Sequence, residues 1–156
     1  MKLIITLMLF ISVSFANYSV YFTGIKLGVA KNFDTLKDNY LKAEVTNSIA
    51  RFLLGKDTFV FYDENFSLKK DTENIKYKKD KYAIIEILKR ASNNNIKDER
   101  IQLKKDKYID VKFDKNYKFT YTSKGKIKSN GYFIMKEGKL IKLVENINNI
   151  EISKND

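Results

Sequence analysis

Residues 108–126 read YIDVKFDKNYKFTYTSKGK, and their parity decides the fold. Ile109, Val111 and Phe113 alternate with Asp110 and Lys112. Tyr117, Phe119 and Tyr121 alternate with Lys118, Thr120 and Thr122. A period of two sends successive side chains to opposite faces of a pleated strand, whereas a helix needs apolar residues three and four apart. Ser123-Lys124-Gly125 follows as a hairpin turn. Strands joined by short turns, each with one apolar and one polar face, make an antiparallel sheet that buries one side. Asp106, Asp110 and Asp114 recur every fourth residue and would form a carboxylate stripe on a helix. On strands they lie beside lysines on a solvated face, so neither calcium binding nor acid–base chemistry is expected of them.

The same reading extends in both directions. Downstream, Asn130-Gly131 is a second turn signal or a bulge. Tyr132–Met135 and Leu140–Val144 flank Lys136-Glu137-Gly138-Lys139, a four-residue turn, and Ile147, Ile150 and Ile152 finish the chain. Upstream, Ile101 and Leu103 alternate with Gln102 and Lys104, and Tyr18, Val20 and Phe22 alternate with Ser19, Tyr21 and Thr23. Gly24 and Gly28 suggest a bend, bulge or close backbone approach in a strand that continues through Val29 towards Phe33. Leu41, Ala43 and Val45 predict a strand to about Ser48, although Leu36, Tyr40, Ala43, Asn47, Ala50 and Leu54 also form a helical stripe. Residues 48–54 are left as helix or strand. Gly55-Lys56-Asp57 turns the chain into the strand Thr58–Tyr62. Residues 63–81 read as a charged hairpin or loop, either an anion-binding patch or a sheet edge guarded by lysines. Asp80–Asn93 is the clearest helix, with Asp80 as N-cap, Ile84, Ile85, Leu88 and Ala91 on an apolar side, and Glu86 four residues before Arg90.

The expected fold is therefore mainly β: a single strongly curved antiparallel sheet, a half-barrel or open barrel, with one short helix near residues 80–93 covering its open side or one end. No repeat, linker or internal domain boundary interrupts residues 17–156.

The chain has 156 residues and contains no Cys, His, Trp or Pro. That excludes Ser-His and Cys-His nucleophile pairs, His or thiolate zinc sites, the usual haem and iron–sulfur ligation, and disulfides. No phosphate-binding glycine loop, EF-hand or dinucleotide fingerprint is present, and no cofactor or metal is expected. Lys and Arg number 30 against 19 Asp and Glu, and only Arg51, Arg90 and Arg100 are arginine. The excess of lysine arises equally well from AT-rich coding or from an anionic partner.

Met1-Lys2 followed by the apolar run Leu3–Phe15 and the small-x-small triplet Ser14-Phe15-Ala16 reads as a secretory signal peptide cleaved after Ala16. The expected mature protein is residues 17–156, exported to the periplasm or secreted. It has no transmembrane segment, and peripheral membrane contact stays open.

The opening Tyr18-x-Val20-x-Phe22-x-Gly24-Ile25-x-x-Gly28 and the strand at Tyr40–Val45 resemble those of a family of Gram-negative envelope proteins known only as a domain of unknown function. The midway helix at Lys81–Arg90 and the closing hairpin Lys136–Val144 are similar too. The chain departs from that pattern in lacking a Pro before the closing strand. The resemblance implies a periplasmic curved sheet akin to the open half-barrels of lipoprotein carriers, and implies no catalytic residues.

Two functions of different kinds follow. A curved sheet fills its concave face with its own helix or with an apolar ligand. The inward candidates are Val20, Phe22, Phe59, Phe61, Phe119 and Tyr121, which form either a closed core or the lining of a site for a lipid or other amphiphile, with lysines at the rim for an anionic headgroup. Alternatively, an exposed strand edge docks the protein onto an envelope complex. A carboxylate-dependent hydrolase is the remote third reading. Aromatic-plus-lysine strands can stack bases, but export removes the usual substrate, so nucleic acid is not an expected partner.

Overall fold

A computed structural model describes residues 18–30, 33, 40–62, 75–79 and 83–155. The proposed signal peptide, the segment 63–74 and the intended N-cap Asp80 lie outside the described residues.

Among the described residues, eleven strands form one open sheet. They are β1 (Tyr18–Phe22), β2 (Ile25–Ala30), β3 (Tyr40–Val45), β4 (Thr58–Tyr62), β5 (Ile75–Lys79), β6 (Glu99–Lys104), β7 (Lys107–Phe113), β8 (Tyr117–Ser123), β9 (Lys126–Lys136), β10 (Lys139–Glu145) and β11 (Ile150–Lys154). Two helices interrupt them among the described residues, α1 (Ser48–Leu54) and α2 (Ala83–Ser92). The spatial order is β5-β4-β3-β2-β1-β11-β10-β9-β8-β7-β6, so the first and last strands meet in the middle of the sheet. Every pairing is antiparallel except β4 with β5, which run parallel.

Three hairpins turn on two residues that both have positive φ: Thr23-Gly24, Lys124-Gly125 and Glu137-Gly138. That backbone matches the right-handed twist of the flanking strands, and a glycine second takes it without strain. The first of these corrects the expectation that β1 runs on through Val29: the chain reverses at Gly24, and β2 pairs back onto β1. Asn130-Gly131 is also corrected. It makes no turn; β9 passes straight through it. Residues 75–79, within the stretch read as a charged hairpin or loop or as a lysine-guarded sheet edge, form the edge strand β5, whose pairing with β4 is parallel. The single expected helix becomes two, because Asn47 accepts a hydrogen bond from the Ala50 N–H at 3.0 Å and Gly55, at φ 71°, closes the other end on the Arg51 carbonyl.

The registers place Val20, Gly28, Val45, Ala30, Ala43 and Leu41 on one face. Tyr18, Phe119, Phe133, Leu143 and Ile152 join Ile87 and Leu88 of α2 in the buried core of that same face. Ile87 is fully buried although the apolar stripe read from the sequence omitted it. The Tyr18 hydroxyl donates to the Leu140 carbonyl at 3.0 Å, so its polar end is satisfied inside the core. Curvature follows from the cavity described below, which touches both Phe61 on β4 and Tyr121 on β8. Those strands are seven positions apart in the sheet, about 34 Å along a flat one at the usual ~4.8 Å spacing. They line one pocket only because the sheet bends around α2. The expected glutamate–arginine pair on α2 is present, with Arg90 bonded to Glu86 at 2.9 Å and to Glu99 at 2.8 Å.

Candidate functional site

The space between the bent sheet and α2 holds a cavity of about 540 Å³. Its walls come from small and apolar residues. Ala30 and Ala43 sit directly opposite each other on β2 and β3, and Ala83 faces them from α2. Three methyl side chains where larger ones would meet leave the void. Leu41, Phe61, Ile84 and Leu88 complete the apolar part, with Val20, Ile150 and Ile152 on the central strands. A second apolar hollow of about 250 Å³ continues towards α1, and Val20, Ala43 and Phe61 line both. Phe59, Val45 and Leu54 belong to the smaller one.

One end of the large cavity is polar. Tyr121, Lys128, Ser129 and Asn148 line it, all from β8, β9 and the turn before β11. A β-bulge builds this end. Tyr121 pairs with Ser129 and Thr122 with Ile127, so Lys128 is the extra residue and turns to the cavity side beside Ser129. Ser129 is 7% exposed, and its Oγ has no hydrogen-bond partner among the described residues. A buried hydroxyl left unpaired costs about 1–3 kcal/mol.

The six sequence candidates divide. Val20, Phe61 and Tyr121 line the large cavity, and Phe59 and Phe61 the small one. Phe119 lies in the closed core at 2% exposure, its ring 6.5 Å from that of Phe133. Phe22 is not inward-lining: it ends β1 at the turn and is 47% exposed. The sequence reading missed Lys128, Ser129 and Asn148. The bulge that aims the first two reverses the parity on which that reading rested.

Among the described residues, several carboxylates are engaged in structural contacts. Arg100 grips Asp110 through two bonds of 2.6 and 2.9 Å and stacks 4.0 Å over Tyr108. Lys118 holds Asp114 at 3.1 Å. Glu145, fully buried, accepts from the Ile147 and Asn148 N–H groups and so shapes the turn at the cavity's polar end. No group of three metal-ligating side chains forms among the described residues. A more open polar hollow of about 880 Å³ borders the same turn, but its Glu145 and Glu151 are taken up in these structural contacts.

Glu151 carries a pH signature. Lys142, 2.9 Å away, and the Ser153 hydroxyl hold its carboxyl below the ordinary range, while Glu151 raises Lys142. A depressed carboxyl pKa stabilises the fold above the unfolded value of about 4.3 and loses that stabilisation as pH falls through the lower folded value. Glu151→Gln is therefore expected to be less stable at pH 7 by about 0.2–1 kcal/mol, the size of a partly solvated pair. In urea titrations the gap should narrow as pH falls below about 4.3; a gap that stays constant through the acid range contradicts the assignment.

Comparison with known proteins returns no matching family model, no curated relative and no similar solved structure.

Proposed function

We propose that this is a non-catalytic envelope protein, exported to the periplasm, that holds an amphiphile between its curved sheet and α2. The observation that carries this reading is the cavity of about 540 Å³, apolar along β1–β4 and α2 and polar at one end, where Tyr121, Lys128, Ser129 and Asn148 line it. Its volume falls within the roughly 300–1,000 Å³ of small-molecule sites. An apolar chain lies along Leu41, Phe61 and Leu88. Its head meets the unpartnered Ser129 hydroxyl and the Lys128 ammonium, which favours a carboxylate or phosphate head.

The test is native mass spectrometry of protein purified from its own cells, with lipid extraction and titration of a fluorescent fatty acid. A lipid-mass adduct and saturable probe binding are expected. Ser129→Ala should weaken the carboxylate probe about 3- to 10-fold, one hydrogen bond to a charged or neutral acceptor, and leave an uncharged hydrocarbon probe unchanged. Bare protein that binds neither probe overturns the reading.

A further inference from the structure

The exposed apolar residues are not scattered. The registers bring five connections to one end of the sheet: the β1–β2 turn, the α1 segment, and the turns 105–106, 124–125 and 146–149. Hydrogen bonds stitch them together. Thr23 N–H donates to Asn149 O, Thr46 and Asn47 N–H to Leu27 O, Asn146 N–H to Asn130 O, and Lys124 N–H to Asp106 O. Of nine large hydrophobic side chains exposed among the described residues, eight lie on this rim, and only Phe113 sits at the far end. Phe52 is 85% exposed, Leu53 75% and Ile49 70%. Ala50 is the only residue α1 buries, so the helix offers most of its apolar surface outward. Phe22 and Ile25, Ile127, and Ile147 stand on three further turns.

The rim is also cationic. Lys26, Lys56, Lys76, Lys104, Lys105, Lys107, Lys124, Lys126 and Lys128 join Arg51, ten cations against Glu44, Asp57, Asp106, Glu145 and Glu151. Of those acids, Asp57 pairs with Arg51 at 3.0 Å and Glu145 is buried in its turn. Apolar and cationic side chains interleave along the edge, most closely at Lys126-Ile127-Lys128 and Ile25-Lys26. A protein interface gathers its apolar surface in a central patch and depletes lysine there. Separate greasy points set among lysines suit the boundary layer of an anionic bilayer, where side chains enter between headgroups and ammonium groups meet phosphates.

We propose that this rim docks edge-on onto an anionic lipid bilayer. The proposal does not rest on the cavity's having a ligand. It does place the polar end of the cavity, at Lys128 and Asn148, against the bilayer surface.

The test is co-sedimentation of residues 17–156 with vesicles of phosphatidylcholine and phosphatidylglycerol, and with phosphatidylcholine alone. Binding is expected only to the anionic vesicles, and lost at high salt. Lys124→Ser with Lys126→Ser should lower the partition coefficient about 30-fold, some fivefold per lysine. Phe52→Ser with Leu53→Ser should lower it at least tenfold. Phe113→Ser and Lys112→Ser with Lys115→Ser, at the other end, should change it less than fivefold. All these positions are exposed, and circular dichroism confirms that each variant is folded. Absence of vesicle binding overturns the proposal, as does equal loss from substitutions at either end. So does a rim that crosslinks to one purified envelope protein yet never partitions onto lipid.

Discussion

Gly131→Ala is expected to cost the protein about 3 kcal/mol, at the upper end of what overpacking a folded interior usually costs. The reason is a carbonyl. A Cβ on Gly131 would lie 1.8 Å from the Val144 oxygen and 3.0 Å from a ring carbon of Phe119. Gly28 repeats the geometry, its added Cβ 1.9 Å from the Glu44 oxygen. In both cases the obstacle is the carbonyl of the residue just before the glycine's partner across the ladder, Glu145 for Gly131 and Val45 for Gly28. No side-chain rotation relieves such a contact, so the strands themselves must separate. Both glycines sit on the inner face, where bending crowds the backbone, and glycine is the residue that lets a sheet bend there. For a domain of this size the loss lowers Tm by roughly 10 °C. Thermal unfolding followed by circular dichroism measures it, and Gly28→Ala should behave alike. A Tm within about 2 °C of the parent for both variants would show that the close approach carries no strain.

These glycines also mark how far the sequence could be read. Parity identified β1, β3 and β6 to β8, aromatic and β-branched composition identified β4, and Ser123-Lys124-Gly125 and Lys136–Lys139 announced their hairpins through glycine. Thr23-Gly24 uses the same two-residue turn but was hidden, because the apolar alternation resumes on its far side with no polar break. Gly131 was taken for turn chemistry because Asn-Gly is the strongest local hairpin signal. What fixes it within β9 is a carbonyl on a neighbouring strand, and no local pattern records that. The parallel pairing of β5 was illegible for a similar reason, since a parallel partner leaves no short-turn signature. The cavity itself was half visible. Val20, Phe61 and Tyr121 follow from alternation. The void, however, depends on Ala30 facing Ala43 across β2 and β3, a pairing that only the register reveals. Its polar end depends on a bulge that breaks the alternation at Lys128.

Cavity and rim make separable demands on the same fold. The cavity requires small residues on the inner face of β2 and β3. The rim requires apolar residues that α1 leaves outside. α1 is held by its Asn47 cap, by Ala50 and by Arg51 donating to the Val45 carbonyl at 3.1 Å, so its outward residues are free to change without disturbing the inner face. Variants that fill one feature should therefore leave the other intact, and that independence gives the cavity its sharpest test.

Ala43→Phe is expected to abolish uptake of the fluorescent fatty acid, weakening it at least tenfold, while the protein stays as stable as its parent or becomes more so. Ala43 is half-buried on β3 and borders both hollows, so a benzyl group there projects into empty volume instead of into packed neighbours. Phenylalanine suits a strand, and its ring would meet Phe61, Leu41 and Ile85, recovering contacts that the void now forfeits. Filling a cavity normally raises stability by about 0.5–2 kcal/mol, whereas forcing a ring into a closed core lowers it by a similar amount or more. The sign of the stability change thus reports whether the space is open, and the probe titration reports whether it is used. Vesicle binding through the rim should survive the substitution unchanged. Undiminished probe affinity in a folded Ala43→Phe protein would mean that fatty acid binds elsewhere, and a large drop in Tm would mean that β2, β3 and α2 are already in close contact.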